Sequence, residues 1–256
     1  MNFDISHLLD QWDYQPGQVV VRKFKGKDGV EKIQLRVDLG LLQMNSEGRP
    51  DGKRPFGKES LLEHHQARLE KHCADHDGDD EDFSLGADDC AKLQQEAIQY
   101  HHRYICLFQL EDYHAVIRDA LRNLEAFDFV ESYAESEEMA WSLQQFRAQL
   151  LMMQTRAKGM LALGSNDYEA AITHVEAGME SIRDYYRSHS RHELVEQSAE
   201  IHSLQKWMDE LRAKRPLSDR EKLEKALDEA VTQEDYERAA KVRDALRNLK
   251  AQPNQP

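Results

Sequence analysis

Histidine and cysteine, the side chains that together suit a zinc ion, concentrate in one part of this 256-residue chain: His64, His65, His72, Cys73, His76, Cys90, His101, His102 and Cys106. Structural zinc takes four thiolate or imidazole ligands in a tetrahedron. Cys73 and His76 stand in a C-x-x-H spacing that Cys90 could join, but no second close pair follows. The adjacent histidines would point in different directions on a helix, so no metal ligand is assigned. Asp75, Asp77, Asp79, Asp80, Glu81 and Asp82 suggest calcium. A calcium loop needs glycine at its sixth position and a bidentate glutamate at its twelfth. Here Gly78 directly precedes Asp79, and the twelfth position from Asp75 is Gly86, so the run reads as a solvated loop. His192-Glu193 begins like the H-E-x-x-H of zinc proteases, but Glu196 stands where the second histidine is required. Gly52-Lys53 lacks phosphate-loop spacing and is followed by Arg54 rather than Ser or Thr. No catalytic residue and no cofactor is assigned, and the chain is read as a non-enzyme.

The elements that remain are helices, and the last forty residues are the most informative. Ser218 and Glu221 fit an S-x-x-E capping box after Pro216. Leu223, Leu227, Ala230 and Val231 then share a face. Thr232 is expected to cap a second helix, with Asp235 at its third position. Ala239, Val242, Leu246 and Leu249 form a 3-4-3 seam that Tyr236 and Ala240 widen, and the small Ala239 and Ala240 allow close helix approach. A hairpin this short cannot build a sufficient core by itself. Its seam must bury on the rest of the chain, on a second copy or on another protein.

This stretch resembles the UVR motif, the helical hairpin shared by the bacterial excision-repair proteins UvrB and UvrC. The resemblance is carried by Leu223, Ala230, Tyr236, Glu237, Ala239, Ala240, Arg243, Asp244 and Leu249. Repair proteins more often have Phe at the position of Tyr236. Related hairpins occur in adaptors of bacterial Clp protease and arginine-kinase systems, and in all of them the hairpin looks like a protein-docking device. The resemblance therefore implies a protein partner, either another UVR-containing protein or a second copy. The docking residues expected here are Tyr236, Ala239, Val242, Arg243 and Leu246. The whole chain, including VRKFKGKDGVEKIQLRVDLGLLQM and GRPDGKRPFG, also resembles bacterial proteins labelled by that motif, which implies no activity.

Composition narrows the classes further. The formal net charge is −14, 32% of residues are charged and 40% are hydrophobic, and the mean hydropathy is −0.79. No apolar run approaches the roughly 18 residues that span a bilayer. The start, MNFDISHLLDQWDY, has neither the basic region nor the apolar core of a signal peptide. Three cysteines without a C-x-x-C pair fit a reducing cytoplasm. The acidic balance argues against nucleic acid as a partner, because such binding rests on Lys and Arg neutralising phosphates. Residues 18–58 are the exception, with ten Lys/Arg against five Asp/Glu, while residues 74–89 hold eight acids and no Lys or Arg. If nucleic acid is contacted at all, Arg22, Lys23 and Lys25 are the residues to do it. The expected alternative is a solvated face paired with the acidic stretch.

Along the chain, residues 3–12 read as a short amphipathic helix carrying Phe3, Ile5, Leu8, Leu9 and Trp12. Val19–Phe24 and the alternating Ile33, Leu35 and Val37 flank a Gly-Lys-Asp-Gly turn and read as a β-hairpin, which Leu39–Met44 extends or follows as another strand. Helices are expected at 59–73, 91–110, 113–127, 134–163, 166–188 with Asn166 as cap, and 191–213, with an acidic, disorder-prone loop at about 74–89. Glu111-Asp112-Tyr113, Asn166-Asp167-Tyr168 and Glu234-Asp235-Tyr236 each open the second helix of a pair. Their spacings of 55 and 68 residues are too long for a strict TPR array. They fit degenerate TPR-like hairpins stacked in series.

The expected fold is mainly α (α+β). A helix and β-hairpin module occupies 1–58, a TPR-like helical body 59–213, a UVR-type antiparallel helical hairpin 217–250, and a disordered tail 251–256. The expected function is a non-catalytic, cytoplasmic adaptor or scaffold that docks a protein through its last hairpin. The alternative is an accessory factor in nucleotide excision repair that binds UvrB- or UvrC-like proteins and DNA.

Overall fold

The computed structural model describes residues 4–251, with side chains described as far as Asn248. The chain is mainly α with a small antiparallel sheet, and its contacts divide it into two compact units, Met1–Asp209 and Glu210–Pro256.

The first unit opens with α1 (Ser6–Leu9), a single turn rather than the expected helix over 3–12; Phe3 lies outside the described residues. A three-stranded meander follows, β1 (Val20–Lys25), β2 (Glu31–Val37) and β3 (Gly40–Asn45), in the order β1-β2-β3. Gly29, at φ +78°, supplies the left-handed residue of the first turn. Residues 40–44 therefore belong to a separate third strand, with Leu39 in the turn before it. Val21, Ile33, Leu35 and Met44 turn towards the helices and share one hydrophobic cluster with Leu93, Leu107 and Val116. The opposite face is covered too. Arg22 donates twice to Gln34 (2.9 and 2.7 Å), Gln34 donates to Gln43 (2.9 Å), and the Arg22 guanidinium lies 4.2 Å from the Trp12 ring centroid.

The helices are α2 (Leu61–Asp75), α3 (Ala87–Gln109), α4 (Tyr113–Tyr133), α5 (Glu137–Gln144), α6 (Arg147–Gly164), α7 (Tyr168–Ser188), α8 (His192–Gln197) and α9 (Ala199–Lys214). Ser60 caps α2 by accepting from the Glu63 amide. The acidic connection to α3 is exposed over residues 76–82 and packs at its end. Phe83 and Leu85 are buried, and Leu85 makes backbone hydrogen bonds with Tyr133 and Glu135 (2.7 and 3.2 Å). The helix expected over 134–163 is two helices. The Gln144 carbonyl accepts from the Tyr185 hydroxyl (2.6 Å), and its buried side-chain amide donates to Phe127 and Glu131, so α5 ends there. The helix expected over 191–213 also breaks, at Ser198, whose hydroxyl accepts from the Ile201 amide (3.2 Å) and caps α9. α6 and α7 approach so closely that a Cβ on Gly178 would overlap the Thr155 side chain.

Buried charge ties the sheet to the helices. Arg103 forms a two-pronged pair with Asp119 (2.6 and 2.8 Å) and donates to the Asn45 and Gly48 carbonyls. Glu96, fully buried, accepts from the Leu61 and Leu62 amides at the start of α2 and pairs with Arg49 (2.9 Å) and Arg122. The basic segment 18–58 thus finds carboxylates on α3 and at the start of α4, Glu96 and Asp112, rather than in the 74–89 stretch expected from composition.

The second unit contains α10 (Asp219–Thr232) and α11 (Tyr236–Ala251), which pack against each other. Of the expected tail, Ala251 closes α11 and residues 252–256 lie outside the described residues.

Candidate functional site

The hairpin is built from its caps inward. Ser218 and Glu221 form the reciprocal capping box: the Glu221 amide donates to Ser218 Oγ (3.2 Å) and the Ser218 amide to Glu221 Oε2 (2.7 Å). Arg215 also pairs with Glu221. The Ser218 hydroxyl, then its amide, then Arg215 hold the Glu221 carboxyl well below its ordinary range, at about 2.

Between the helices the chain turns on Gln233, Glu234 and Asp235. Glu234 is left-handed at φ +57°. The Asp235 amide donates to the Ala230 carbonyl (2.9 Å) and the Glu234 amide to Val231 (3.0 Å), the Schellman pair that satisfies the last carbonyls of α10. Asp235 then caps α11, its carboxylate accepting from the Arg238 amide (3.0 Å). The expected cap, Thr232, instead belongs to α10 and donates its hydroxyl to the Asp228 carbonyl. The same correction holds at Asn166, which is the left-handed residue (φ +58°) while Asp167 caps α7.

The α3–α4, α6–α7 and α10–α11 turns share this arrangement: a left-handed Glu111, Asn166 or Glu234, a capping Asp112, Asp167 or Asp235, then Tyr113, Tyr168 or Tyr236 at the first helical position. The tyrosines differ in their surroundings. Tyr113 packs on the core, 5.4 Å from the Phe108 ring, and Tyr168 is half-buried. Tyr236 is 71% exposed.

The residues expected to dock fall on two faces of α11. Ala239 is buried, and Val242 and Leu246 are half-buried, on the inner stripe with Ala230 of α10 fully buried opposite. Tyr236 and Arg243 lie on an outer stripe, about 80° around the helix from the middle of the inner one at 3.6 residues per turn, and both are exposed. Val231, expected in the seam, is 52% exposed beside the turn. The Leu249 side chain lies outside the described residues. Arg220–Glu224, Lys222–Asp219 and Lys241–Glu237 are solvated i,i+3 and i,i+4 pairs that contribute little to stability. Arg238 and Arg243 have no partner among the described residues.

The basic candidates are less available. Arg22 is held by Gln34 and stacked on Trp12, while Lys25 is exposed. Lys23 pairs with Asp112 (2.9 Å) and Glu31 (3.4 Å). Desolvation opposes its charge, but the Asp112 hydrogen bond and the two carboxylates outweigh it and raise its pKa. The histidines and cysteines do not converge. His72 stacks on His76 and His64 on Phe56, and His65, Cys90 and Cys106 are buried. No group of three or more His, Cys, Asp or Glu among the described residues is placed to hold a metal ion. No helix among them is long and apolar enough to cross a membrane.

The hairpin is thus a capped pair of short helices with a buried inner seam and an exposed outer stripe. The UvrB/uvrC motif matches residues 220–252, so α10, α11 and the turn between them constitute a UvrB/uvrC motif, an interaction module of excision-repair proteins. Comparisons with curated proteins and with solved structures return no match.

Proposed function

We propose that this protein is a non-catalytic adaptor that docks a protein partner through the outer surface of its α10–α11 hairpin. The contact is centred on Tyr236 and Val231, with Arg243 setting register. One observation carries this reading: of three tyrosines set by the same turn, Tyr236 alone is exposed rather than packed. Burying the Tyr236 ring and Val231 supplies roughly 25 cal/mol per Å² of apolar area, from which association costs are subtracted. The exposed Arg243 favours a partner that offers a carboxylate. The helical body is read as a TPR-like scaffold that works in the cytoplasm.

Both apolar side chains are exposed, so substituting them is expected to change stability by no more than about 0.5 kcal/mol. The test compares proteins retained from a lysate of the source cells by the wild type and by Val231→Asp/Tyr236→Asp, with folding confirmed by circular dichroism. Loss of a specific partner in the variant, with restoration by Tyr236→Phe, supports the reading. Identical retained proteins, or none with either form, refute it.

The motif match favours a second reading, an accessory role in excision repair with UvrB- or UvrC-like partners. It predicts salt-sensitive DNA binding that weakens when Arg22, Lys23 and Lys25 are neutralised.

A further inference from the structure

The helical body contains a cavity that the hairpin reading does not use. It lies where α3, α4, α5 and the start of α6 meet and has a volume of about 180 Å³. Its walls are apolar, formed by Ile98, Phe127, Leu143, Phe146 and Leu150. Two of these, Ile98 and Phe146, remain 47% and 46% exposed. Phe146 sits at the break between α5 and α6, where the pattern of the chain alone would continue one helix. The interruption, pinned by Gln144 and Tyr185, holds α5 as a separate wall.

Gln94, Asn123, Gln149, His101 and Tyr104 also line it; the Gln94 and Asn123 amides donate to the Ser142 and Ala97 carbonyls, and His101 pairs with Tyr104. His101 Nδ1 lies 2.5 Å from the Tyr104 hydroxyl. Tyr104 is buried, and this is the one hydrogen bond of its hydroxyl among the described residues, so its proton must go to Nδ1; the reverse arrangement would leave a buried O–H without an acceptor. Nε2 then carries the remaining ring proton and has no partner among the described residues. Burial, then the neighbouring His102, lowers the His101 pKa and favours this neutral form.

Size selects the ligand. Apolar cavities of about 150 Å³ stay dry and accept benzene, whereas drug-sized ligands occupy roughly 300–1,000 Å³. We propose that this cavity binds a small uncharged molecule built on one apolar ring, with a single acceptor atom that takes the His101 Nε2–H hydrogen bond. An anion is excluded because no cation lines the walls.

The experiment titrates the full chain with acetophenone, ethylbenzene and benzoate while following leucine and isoleucine methyl resonances. Acetophenone is expected to shift the Ile98, Leu143 and Leu150 methyls with a Kd at or below about 1 mM. Ethylbenzene should bind at the same place about tenfold more weakly, the worth of one neutral hydrogen bond. Benzoate should not bind. His101→Phe should bring acetophenone down to ethylbenzene's affinity and leave ethylbenzene unchanged. The proposal is overturned by the absence of cavity methyl shifts at 10 mM probe, by shifts centred elsewhere such as Leu121, or by equal wild-type affinity for acetophenone and ethylbenzene. The wild-type comparison decides the matter even if the variant fails to fold.

Discussion

Glu96→Gln is the substitution that most directly tests how the sheet is fixed to the helices. The carboxylate is fully buried and neutralises two guanidiniums whose side chains are only 12% and 14% exposed, Arg49 and Arg122. Burial pulls the Arg122 pKa below its ordinary value even though Glu96 opposes that shift. The amide that replaces the carboxylate could still accept from the Leu61 N–H, but its NH₂ would face a donor, and both cations would lose their buried counter-charge. Breaking a buried pair by removing one partner costs about 3–5 kcal/mol. For a unit of this size, 1 kcal/mol moves Tm by about 2–4 °C, so Tm should fall by about 6–20 °C. Urea unfolding followed by circular dichroism measures the loss, and amide exchange at Leu61 and Leu62 should accelerate with it. The exposed Glu125→Gln is the control and should stay within about 0.5 kcal/mol of wild type. Adding Arg122→Met to Glu96→Gln should recover part of the loss, because the pair is coupled. A Glu96→Gln cost below about 1 kcal/mol would refute the view that this buried network clasps the two layers.

His65 should make stability pH-dependent. Desolvation, the leading cause, lowers its pKa to about 4, and Arg68 donates to Nδ1 (2.9 Å), which requires that nitrogen to be unprotonated. The unfolded chain titrates near 6.5, so stability is intact above that value and falls as the pH drops from 6.5 towards 4. His65→Phe should flatten that part of a denaturation–pH profile; an unchanged slope contradicts it. Glu221 gives the carboxylate case. Its contribution to the α10 cap is present above about 4.5 and is lost as the pH falls through about 2. Residues 219–232 should lose helicity over that range in the wild type and show little pH dependence there in Glu221→Gln, as read by amide chemical shifts. The thiols should separate in a native titration with an aromatic disulfide reagent. Burial pushes Cys106 up to about 12 and raises Cys90, so Cys73 alone reacts quickly, and the other two appear only on unfolding.

Periodic residues disclosed much of this architecture, and long-range polar contacts disclosed none of it. The alternation Ile33-Leu35 and the Gly-Lys-Asp-Gly turn specify a hairpin locally, and the capping box at Ser218 and Glu221 is present as read. Thr232 and Asp235 are both good capping residues. The sequence has no local means of choosing between them, because the choice depends on Glu234 adopting a left-handed conformation that glycine or asparagine usually signals. The α5–α6 break depends on Tyr185 reaching Gln144 from 41 residues away, and Arg103 reaches Gly48 across 55. Such pairings carry no spacing signature. The same limit applied to the candidate site. The 3-4-3 pattern put Tyr236 beside the seam of Ala239, Val242, Leu246 and Leu249, and the resemblance added Arg243, because periodicity marks an apolar stripe without saying whether that stripe is spent inside the hairpin or offered outside it.

The repeated turn supports the docking reading by internal comparison. Glu111-Asp112-Tyr113, Asn166-Asp167-Tyr168 and Glu234-Asp235-Tyr236 reach one backbone conformation and one cap, so local forces place each tyrosine equivalently. What differs is whether anything lies against the ring. At Tyr113 the core provides Phe108 and at Tyr168 the ring is half-covered, whereas Tyr236 stands 71% exposed, with Val231, on the other side of the turn, at 52%. Single exposed apolar residues are ordinary on protein surfaces. An exposed pair at a turn whose counterparts in the same chain are packed is a narrower observation, because composition, cap and backbone are held constant and only the neighbour is missing. In the adaptor reading proposed above, a docking partner supplies that neighbour. Substituting Tyr236 and Val231 together should therefore change binding while leaving the fold intact, the combination that separates an interface from a core.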